Sequence, residues 1–187
     1  MIQSIVFDVD DTLYDQQAPF RAAIKKVFPA FPTSHLANLY LRFRYHSDSV
    51  FHKTTSGEWS LQVMRFYRLN EAMKEFNWPE PITQEISDAF QQAYEEELEL
   101  ICLPHEVEAV FTYLTDRQIP IGIITNGPTD HQSKKIKQLQ IEKWVPADHI
   151  IISESTGFQK PYKEIFDVAA KQFGFSPESN QYVFDSF

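Results

Sequence analysis

IQSIVF, residues 2–7, is a short apolar run that stops at an acidic cluster, DVDDT (8–12). Similar runs occur at 119–125 (IPIGIIT), 149–153 (HIIIS) and 181–184 (QYVF). Each is too continuous for a half-exposed strand and too short for a helix of ordinary length. Such runs are typical of parallel strands covered on both faces, so the sequence predicts four buried parallel strands.

Helical patterns lie between the later runs. They precede the second, third and fourth strands as HEVEAVFTYLTDRQ (105–118), TDHQSKKIKQLQI (129–141) and PYKEIFDVAAKQFG (161–174). In the last of these, apolar residues recur at helical spacing and Gly174 supplies a stop signal. The alternation predicts an α/β fold with a doubly wound, mostly parallel sheet.

A long helical segment separates the first two strands. Residues 15–100 carry no strand signal, whereas apolar residues recur at helical spacing within 56–77 and 83–100. Prolines divide the segment into separate helices. The sequence therefore predicts an α/β core formed by 1–14 and 101–187, with a helical domain at 15–100 inserted into it.

Composition limits the classes of partner. The chain has 187 residues, of which 43% are hydrophobic, and a net charge of -9. It has no clustered basic stripe, so neither nucleic acid nor an anionic membrane is expected to bind. No apolar run approaches the ~20 residues that span a bilayer. The N-terminal sequence lacks the layout of a signal peptide, and the single cysteine, Cys102, cannot form an internal disulfide. We expect a cytoplasmic protein.

The polar residues that follow the strand runs carry the chemistry, because ligands of open parallel sheets gather at the carboxyl ends of the strands. Asp8 and Asp10 lie two apart, so their charges repel unless a cation or a shared proton relieves them. Asp185 adds a third carboxylate if its strand lies beside the first, and such oxygen ligands suit Mg²⁺. Thr125 and Lys160 are suited to binding phosphoryl oxygens. Together these groups predict phosphoryl transfer through an aspartyl-phosphate.

Four motifs give the chain a resemblance to a known family. FDVDDTLYD, IGIITNG, GFQKP and YVFDSF, in this order and spacing, resemble the four motifs of the haloacid dehalogenase superfamily. The helical insertion directly after the first motif resembles a type 1 cap, as in the phosphatase branch. The resemblance covers nearly the whole chain and implies a Rossmann-like core.

The resemblance implies a role for each matching residue. Asp8 attacks phosphorus, and Asp10 protonates the leaving group and later activates water. Thr125 and Lys160 bind the phosphoryl group. Two further assignments follow from the same motifs: Asn126 lies beside Thr125 in the phosphate site, and Mg²⁺ is held by Asp8, the main-chain carbonyl of Asp10 and Asp185.

The residue at position 10 separates the reaction classes within the family. Dehalogenases resemble this sequence except that they carry a non-acidic residue there, so Asp10 favours a phosphatase. A dehalogenase or a phosphomutase remains an alternative. The resemblance implies a small phosphorylated metabolite as substrate, such as a sugar phosphate, phosphoglycolate or a nucleotide, and a monomer or homodimer.

The fourth motif departs from the family pattern. Phe184 occupies a position that is usually glycine, and the sequence stops before the motif's second acidic residue and before a fifth strand and final helix. A large side chain at a strand end blocks the close approach that glycine permits. We therefore expect weak or absent activity from these 187 residues, and a non-catalytic association module is the alternative from another class.

Five further side chains are candidates for substrate contact. Tyr14, Gln16 and Phe20 follow the nucleophile loop where the core meets the cap, although the two aromatic rings also suit packing of the hinge. Arg65 and Arg68 lie on a helix of the insertion, where arginines are more often solvated or paired with glutamate.

Overall fold

A four-stranded parallel sheet forms the centre of the α/β unit. The structure is a computed structural model that describes residues 4–176, 178 and 180–183. The strands are β1 (Ser4–Phe7), β2 (Ile121–Thr125), β3 (Ile150–Ile152) and β4 (Asn180–Val183). They lie in the order β3-β2-β1-β4, and all three neighbouring pairs are parallel. The predicted α/β fold with a parallel sheet is confirmed, and β1 lies at the position where the strand order reverses.

The helices occupy the connections between strands and the long insertion. Within the described residues they are α1 (Gln17–Val27), α2 (Leu36–Thr55), α3 (Leu61–Glu75), α4 (Gln84–Leu98), α5 (His105–Asp116), α6 (Thr129–Gln138), α7 (Ser153–Thr156) and α8 (Lys163–Phe173), with 3₁₀ helices at Thr33–His35, Ile141–Lys143 and Ala147–His149. α6 ends three residues earlier than its pattern predicts, because Gln140 adopts a left-handed conformation with φ 53°. Among the described residues, no helix is long and apolar enough to cross a membrane.

Both faces of the sheet are covered by helices. Val6 of β1 joins an apolar cluster with residues of α8, while its neighbour Phe7 packs edge-on against Phe111 of α5 at a centroid distance of 5.2 Å. Because successive side chains of a strand point to opposite faces, these two contacts lie on opposite sides of β1. The two-sided burial explains why the run of β1 is continuously apolar. The predicted burial of the fourth strand is wrong, because Gln181 and Val183 of β4 are exposed.

Gly122 lets α8 approach β2 closely. A Cβ atom at this position would lie 2.7 Å from Cε2 of Phe173, well inside van der Waals contact. The Phe173 ring is itself held between the rings of His149 and Phe175, at centroid distances of 5.4 Å and 5.3 Å. Glycine at this point of the buried strand therefore leaves room for the Phe173 ring.

We expect Gly122→Ala to lower the free energy of unfolding by about 1–3 kcal/mol, because overpacking forces the Phe173 ring out of its position. Urea denaturation measures the change in midpoint. In a Phe173→Leu background the same substitution should cost less than half as much, since the ring that obstructs the new methyl group is gone. Equal costs in the two backgrounds would contradict the packing explanation.

The helical insertion has its own core. The chain divides into two compact units, one formed by residues 1–16 with 99–187 and the other by residues 17–98. In the second unit the fully buried ring of Phe20 lies within 4.9–6.2 Å, centroid to centroid, of four other aromatic rings. Those rings belong to Tyr40, Phe43, Phe90 and Tyr94. The cap role of the predicted domain at 15–100 stays a prediction.

Candidate active site

Asp8 lies at the carboxyl end of β1, in contact with a buried lysine. Its main-chain N–H donates to the carbonyl oxygen of Val183 on β4 at 2.9 Å. One carboxylate oxygen accepts from the N–H of Val9 at 2.7 Å, and the other lies 2.7 Å from Nζ of Lys160. The Lys160 and Asp8 side chains are only 5% and 15% exposed. The first and third motifs are therefore joined by an ion pair that is largely shielded from solvent.

Asp10 is held by donors on both carboxylate oxygens. Oδ1 accepts from the Tyr14 hydroxyl at 2.7 Å and from Lys135 Nζ at 2.6 Å. Oδ2 accepts from Gln132 Nε2 at 2.9 Å and from the same Nζ at 2.8 Å. Burial acts to raise the pKa of this carboxyl, but the charge and hydrogen bond of Lys135, with the bonds from Tyr14 and Gln132, leave the pKa below its usual value. Asp10 is thus a carboxylate at neutral pH.

Gln132 and Lys135 are the residues of this site that the sequence reasoning missed. Both lie on α6, which begins directly after the second motif, and a spacing of three residues places them on one face of the helix. The sequence features that point to these two residues are their spacing and their position on the helix that follows the end of β2. It is a weak signal, because polar residues of a crossover helix usually face water.

Thr125 places an unsatisfied hydroxyl at the same edge of the sheet. Phe7 of β1 pairs with Ile123 of β2, so Thr125 lies two residues further toward the carboxyl ends. Its Oγ1 is buried and has no hydrogen-bond partner among the described residues. A buried hydroxyl without a partner is costly, so this atom is suited to a ligand oxygen.

Asn126 joins the second motif to the third. Its Nδ2 donates to the carbonyl oxygen of Lys160 at 2.9 Å, and its Oδ1 accepts from the main-chain N–H of Lys160 at 2.9 Å. The following residue, Gly127, donates its N–H to the hydroxyl of Ser153 at 3.0 Å. The Asn126 side chain is therefore engaged by protein main chain and fixes the loop that carries Lys160.

The described donors for a metal are oxygens. The carboxylate of Asp8 and the main-chain carbonyl of Asp10 are hard ligands of the kind that Mg²⁺ prefers, so the chemistry of this set fits the ion. No three His, Cys, Asp or Glu side chains within the described ranges cluster as a metal site. Asp185 and Phe184 lie outside the described residues, so the third ligand and the crowding by Phe184 stay predictions.

Two substrate candidates lie beside the first motif. Tyr14 is buried and donates its hydroxyl to Asp10, which gives it a partner within the site itself. Gln16 is also buried, and its main-chain N–H donates to Oδ1 of Asp11 at 2.9 Å. Asp11 has a positive φ of 55°, so this hydrogen bond closes the turn that follows Asp10.

The other three candidates belong to the helical unit. Phe20 is fully buried in that unit's aromatic core. Arg65 donates to Glu95 at 2.9 Å. Arg68 lies over the ring of Phe43 at 4.3 Å and donates to Gln91 at 2.9 Å, and burial lowers its pKa to about 10. Each of the three thus contacts residues of its own unit, and their part in binding a substrate stays a prediction.

Comparison with known families places the chain in one of them. A family model described as haloacid dehalogenase-like hydrolase matches residues 2–179. The chain belongs to the haloacid dehalogenase-like hydrolases. The resemblance inferred from the four motifs is confirmed, and the protein is a hydrolase.

Relatives within the haloacid dehalogenase-like hydrolases span nearly all of the chain. The HAD-hydrolase YfnB of Bacillus subtilis is 24% identical over 98% of this chain and 76% of its own length. A glyceraldehyde 3-phosphate phosphatase of Methanocaldococcus jannaschii is 27% identical over 99% of this chain and 77% of its own length. The pyrimidine 5'-nucleotidase YjjG of Escherichia coli is 24% identical over 91% of this chain and 71% of its own length.

A solved structure supports the fold. The crystal structure of YfnB bound to magnesium matches with a TM-score of 0.67 at 23% identity, covering 99% of this chain and 80% of YfnB. At this level of identity the likeness shows that the two haloacid dehalogenase-like hydrolases share a fold.

Proposed function

We propose that the protein is a Mg²⁺-dependent phosphatase that hydrolyses a small phosphomonoester through an aspartyl-phosphate on Asp8. The observation that carries the proposal is the convergence of three groups at one edge of the sheet. They are the Asp8–Lys160 ion pair, the fixed carboxylate of Asp10 and the unsatisfied hydroxyl of Thr125. A nucleophile, an acid/base group and phosphoryl donors are the parts that this chemistry needs.

The reaction has two halves. In the first, a carboxylate oxygen of Asp8 attacks phosphorus and the bond to the ester oxygen breaks, while Asp10, protonated from solvent when the ester binds, gives its proton to that oxygen. In the second, water attacks phosphorus and gives a proton to Asp10, and the bond to Asp8 breaks. Free phosphate leaves, Asp10 returns its proton to solvent, and both aspartates are again carboxylates.

Asp10 is suited to both halves. As a carboxylate it accepts the proton of the attacking water. A negatively charged phosphoryl group placed beside it raises its pKa and favours the protonated form that the first half uses. The substrate itself therefore supplies part of the charge that prepares the acid.

Lys160 and Thr125 are the groups proposed to bind the transferring phosphoryl oxygens. Lys160 brings a positive charge within 2.7 Å of the nucleophile, and Thr125 brings a free donor. We assign Asn126 the role of holding the Lys160 loop, because both polar atoms of its amide bind the main chain of Lys160. This changes its proposed role from direct phosphate binding to support of the phosphate site.

Asp8, the carbonyl of Asp10 and Asp185 are the proposed ligands of Mg²⁺. When bound, the ion supplies positive charge that stabilises the negative oxygens of the transferring group. The structure of the relative YfnB was determined with magnesium, which supports the choice of ion.

The proposed substrate is a small phosphorylated metabolite. Two relatives are named for a triose phosphate and for pyrimidine nucleotides, so the class extends from sugar phosphates to nucleotides. Tyr14, Gln16, Phe20, Arg65 and Arg68 stay candidates for selecting among them. Of these, Phe20 has no exposed surface through which to contact a ligand in this structure.

A panel of phosphomonoesters tests the function. We expect phosphate release from at least one ester in the presence of Mg²⁺ and a loss of roughly 10²-fold or more on chelation, since the ion supplies several kcal/mol of transition-state stabilisation. Colorimetric phosphate assay measures the rate. Release that is insensitive to chelation would contradict the metal assignment. Halide release from 2-haloacids without phosphate release would favour the dehalogenase alternative.

A further inference from the structure

We propose that Lys135 and Gln132 of α6 are positioning residues that fix the Asp10 carboxylate for proton transfer with the leaving-group oxygen. The proposal rests on the proposed phosphatase function and adds two residues to its machinery. Neither residue belongs to the four motifs. Both are assigned from their contacts with Asp10, and Gln132 also from the close approach of Gly127 in the second-motif loop.

The hydrogen-bond donors around Asp10 hold its carboxylate in a single orientation. Lys135 Nζ bridges its two oxygens at 2.6 Å and 2.8 Å, which fixes the rotation of the carboxylate plane. Gln132 and Tyr14 then add one donor each, at 2.9 Å and 2.7 Å, on opposite oxygens. With two acceptor contacts on each oxygen, rotation of the group would break several charge-assisted hydrogen bonds together.

Gln132 also ties Asp10 to the second motif. Its Nε2 donates both to Asp10 and to the main-chain carbonyl of Asn126, at 2.9 Å and 2.8 Å. Its Oε1 is buried and has no hydrogen-bond partner among the described residues. The orientation of the amide therefore satisfies Asp10 and Asn126 but leaves its own oxygen unsatisfied, which costs free energy.

Gly127 makes room for this amide. A Cβ atom at Gly127 would lie 3.0 Å from Nε2 of Gln132, and the φ of +138° at this glycine is unfavourable for other residues. The loop of the second motif is thus shaped around the Gln132 side chain. The same loop carries Thr125 and Asn126.

The burial of the Lys135–Asp10 pair suggests a role other than stability. The two side chains are 14% and 21% exposed. Removing two charges from water costs several kcal/mol per ion, and such pairs often contribute little net stability. A fixed carboxylate is useful to catalysis, because misplacement of a reacting group by 1 Å can cost roughly 10²-fold in rate.

Two classes of ester separate positioning from general structural support. An alkyl phosphate needs a proton on its leaving oxygen, whereas p-nitrophenolate leaves without one. In Lys135→Met and Gln132→Leu we expect kcat for the alkyl ester to fall roughly 10–10²-fold. The first turnover of p-nitrophenyl phosphate, measured with enzyme in excess, should fall less than about threefold, because that step does not use the acid.

Two further variants sharpen the result. Lys134→Met removes an exposed lysine from the same helix and should leave both rates unchanged. Lys135→Arg keeps a cation with two donors for the carboxylate, so it should recover at least a third of the rate that Lys135→Met loses.

The outcomes distinguish this proposal from the function on which it rests. Equal losses on the two esters, or losses confined to KM, would overturn the positioning role and leave the phosphatase standing. Absence of Asp8-dependent phosphate release by the unmodified protein from either ester would overturn both.

Discussion

Replacing Asp8 with asparagine is expected to lower the rate of phosphate release by a factor of roughly 10⁴ or more, because the amide lacks the nucleophilic oxygen on which the proposed covalent intermediate forms. The shape of the side chain is nearly unchanged, so β1 and its contacts should persist. Initial rates with the preferred ester, in excess Mg²⁺, measure the loss, and circular dichroism checks that the fold is retained.

Asp167→Asn is the matched control. Asp167 also pairs with a lysine, Lys163, but both side chains lie on the surface of α8 and are exposed, at 59% and 83%. Its activity should stay within twofold of the unmodified protein. Inorganic phosphate should still bind to Asp8→Asn, since Lys160 and Thr125 remain and a repelling charge is gone. Residual turnover above about 1% would argue that Asp8 is not the nucleophile.

Replacing Lys160 with methionine is the second large effect. We expect kcat/KM to fall by roughly 10²–10³-fold, because the site loses the positive charge aimed at the transferring oxygens. Unlike Asp8→Asn, this variant should also bind inorganic phosphate more weakly, which calorimetric titration measures. The contrast between the two variants separates nucleophilic attack from phosphate binding.

The Lys160 variant has a structural cost that needs its own control. Asp8 is left as a nearly buried carboxylate without its ion pair, and such a loss destabilises a protein by about 3–5 kcal/mol. The double variant Asp8→Asn with Lys160→Met should recover much of that stability in urea denaturation while staying inactive. Lys163→Met, on the exposed start of α8, should change neither activity nor stability by much. Unchanged phosphate affinity in Lys160→Met would refute its binding role.

The sheet could be predicted because its signal is local. The first three strands are apolar runs of a few residues, and burial makes each run continuous, as Val6 and Phe7 of β1 illustrate. β4 differs, because its Gln181 and Val183 are exposed. β4 pairs with β1, the arrangement on which the sequence argument for the fourth motif depended. The end of α6 was placed too late, because the left-handed residue that stops it, Gln140, is not a glycine and carries no stop signal.

The site could be predicted only in part. Asp8, Asp10, Thr125 and Lys160 follow strands or a recognised motif, and the structure brings Asp8 and Lys160 into contact. The contact of Lys135 with Asp10 could not be predicted, because it joins residues 125 positions apart and depends on how α6 docks against the strand ends. Periodicity specifies that a helix forms and which face is apolar. It does not specify which polar side chain meets which carboxylate.

The substrate candidates show a related limit. Tyr14 was chosen for its position after the nucleophile loop, and in the structure its hydroxyl contacts Asp10. Phe20 was chosen for the same reason and lies fully buried among aromatic rings. Proximity along the chain therefore selected one side chain that contacts the site and one that is buried in the core of the helical unit. The direction of a side chain within it depends on packing that only the folded structure specifies.

The long span between Asp10 and Lys135 has a consequence for biosynthesis. At about 5–20 residues per second, roughly 6–25 s pass after Asp10 leaves the ribosome before its lysine does. For most of that time β1 has neither of its neighbouring strands, since β2 begins at Ile121. The segment 17–98, whose core contacts are internal to it, is synthesised within this interval. The nascent chain therefore carries an unpaired apolar strand until β2 is made. Asp10 gains its lysine only later, with α6, and Asp8 gains its own later still, with Lys160.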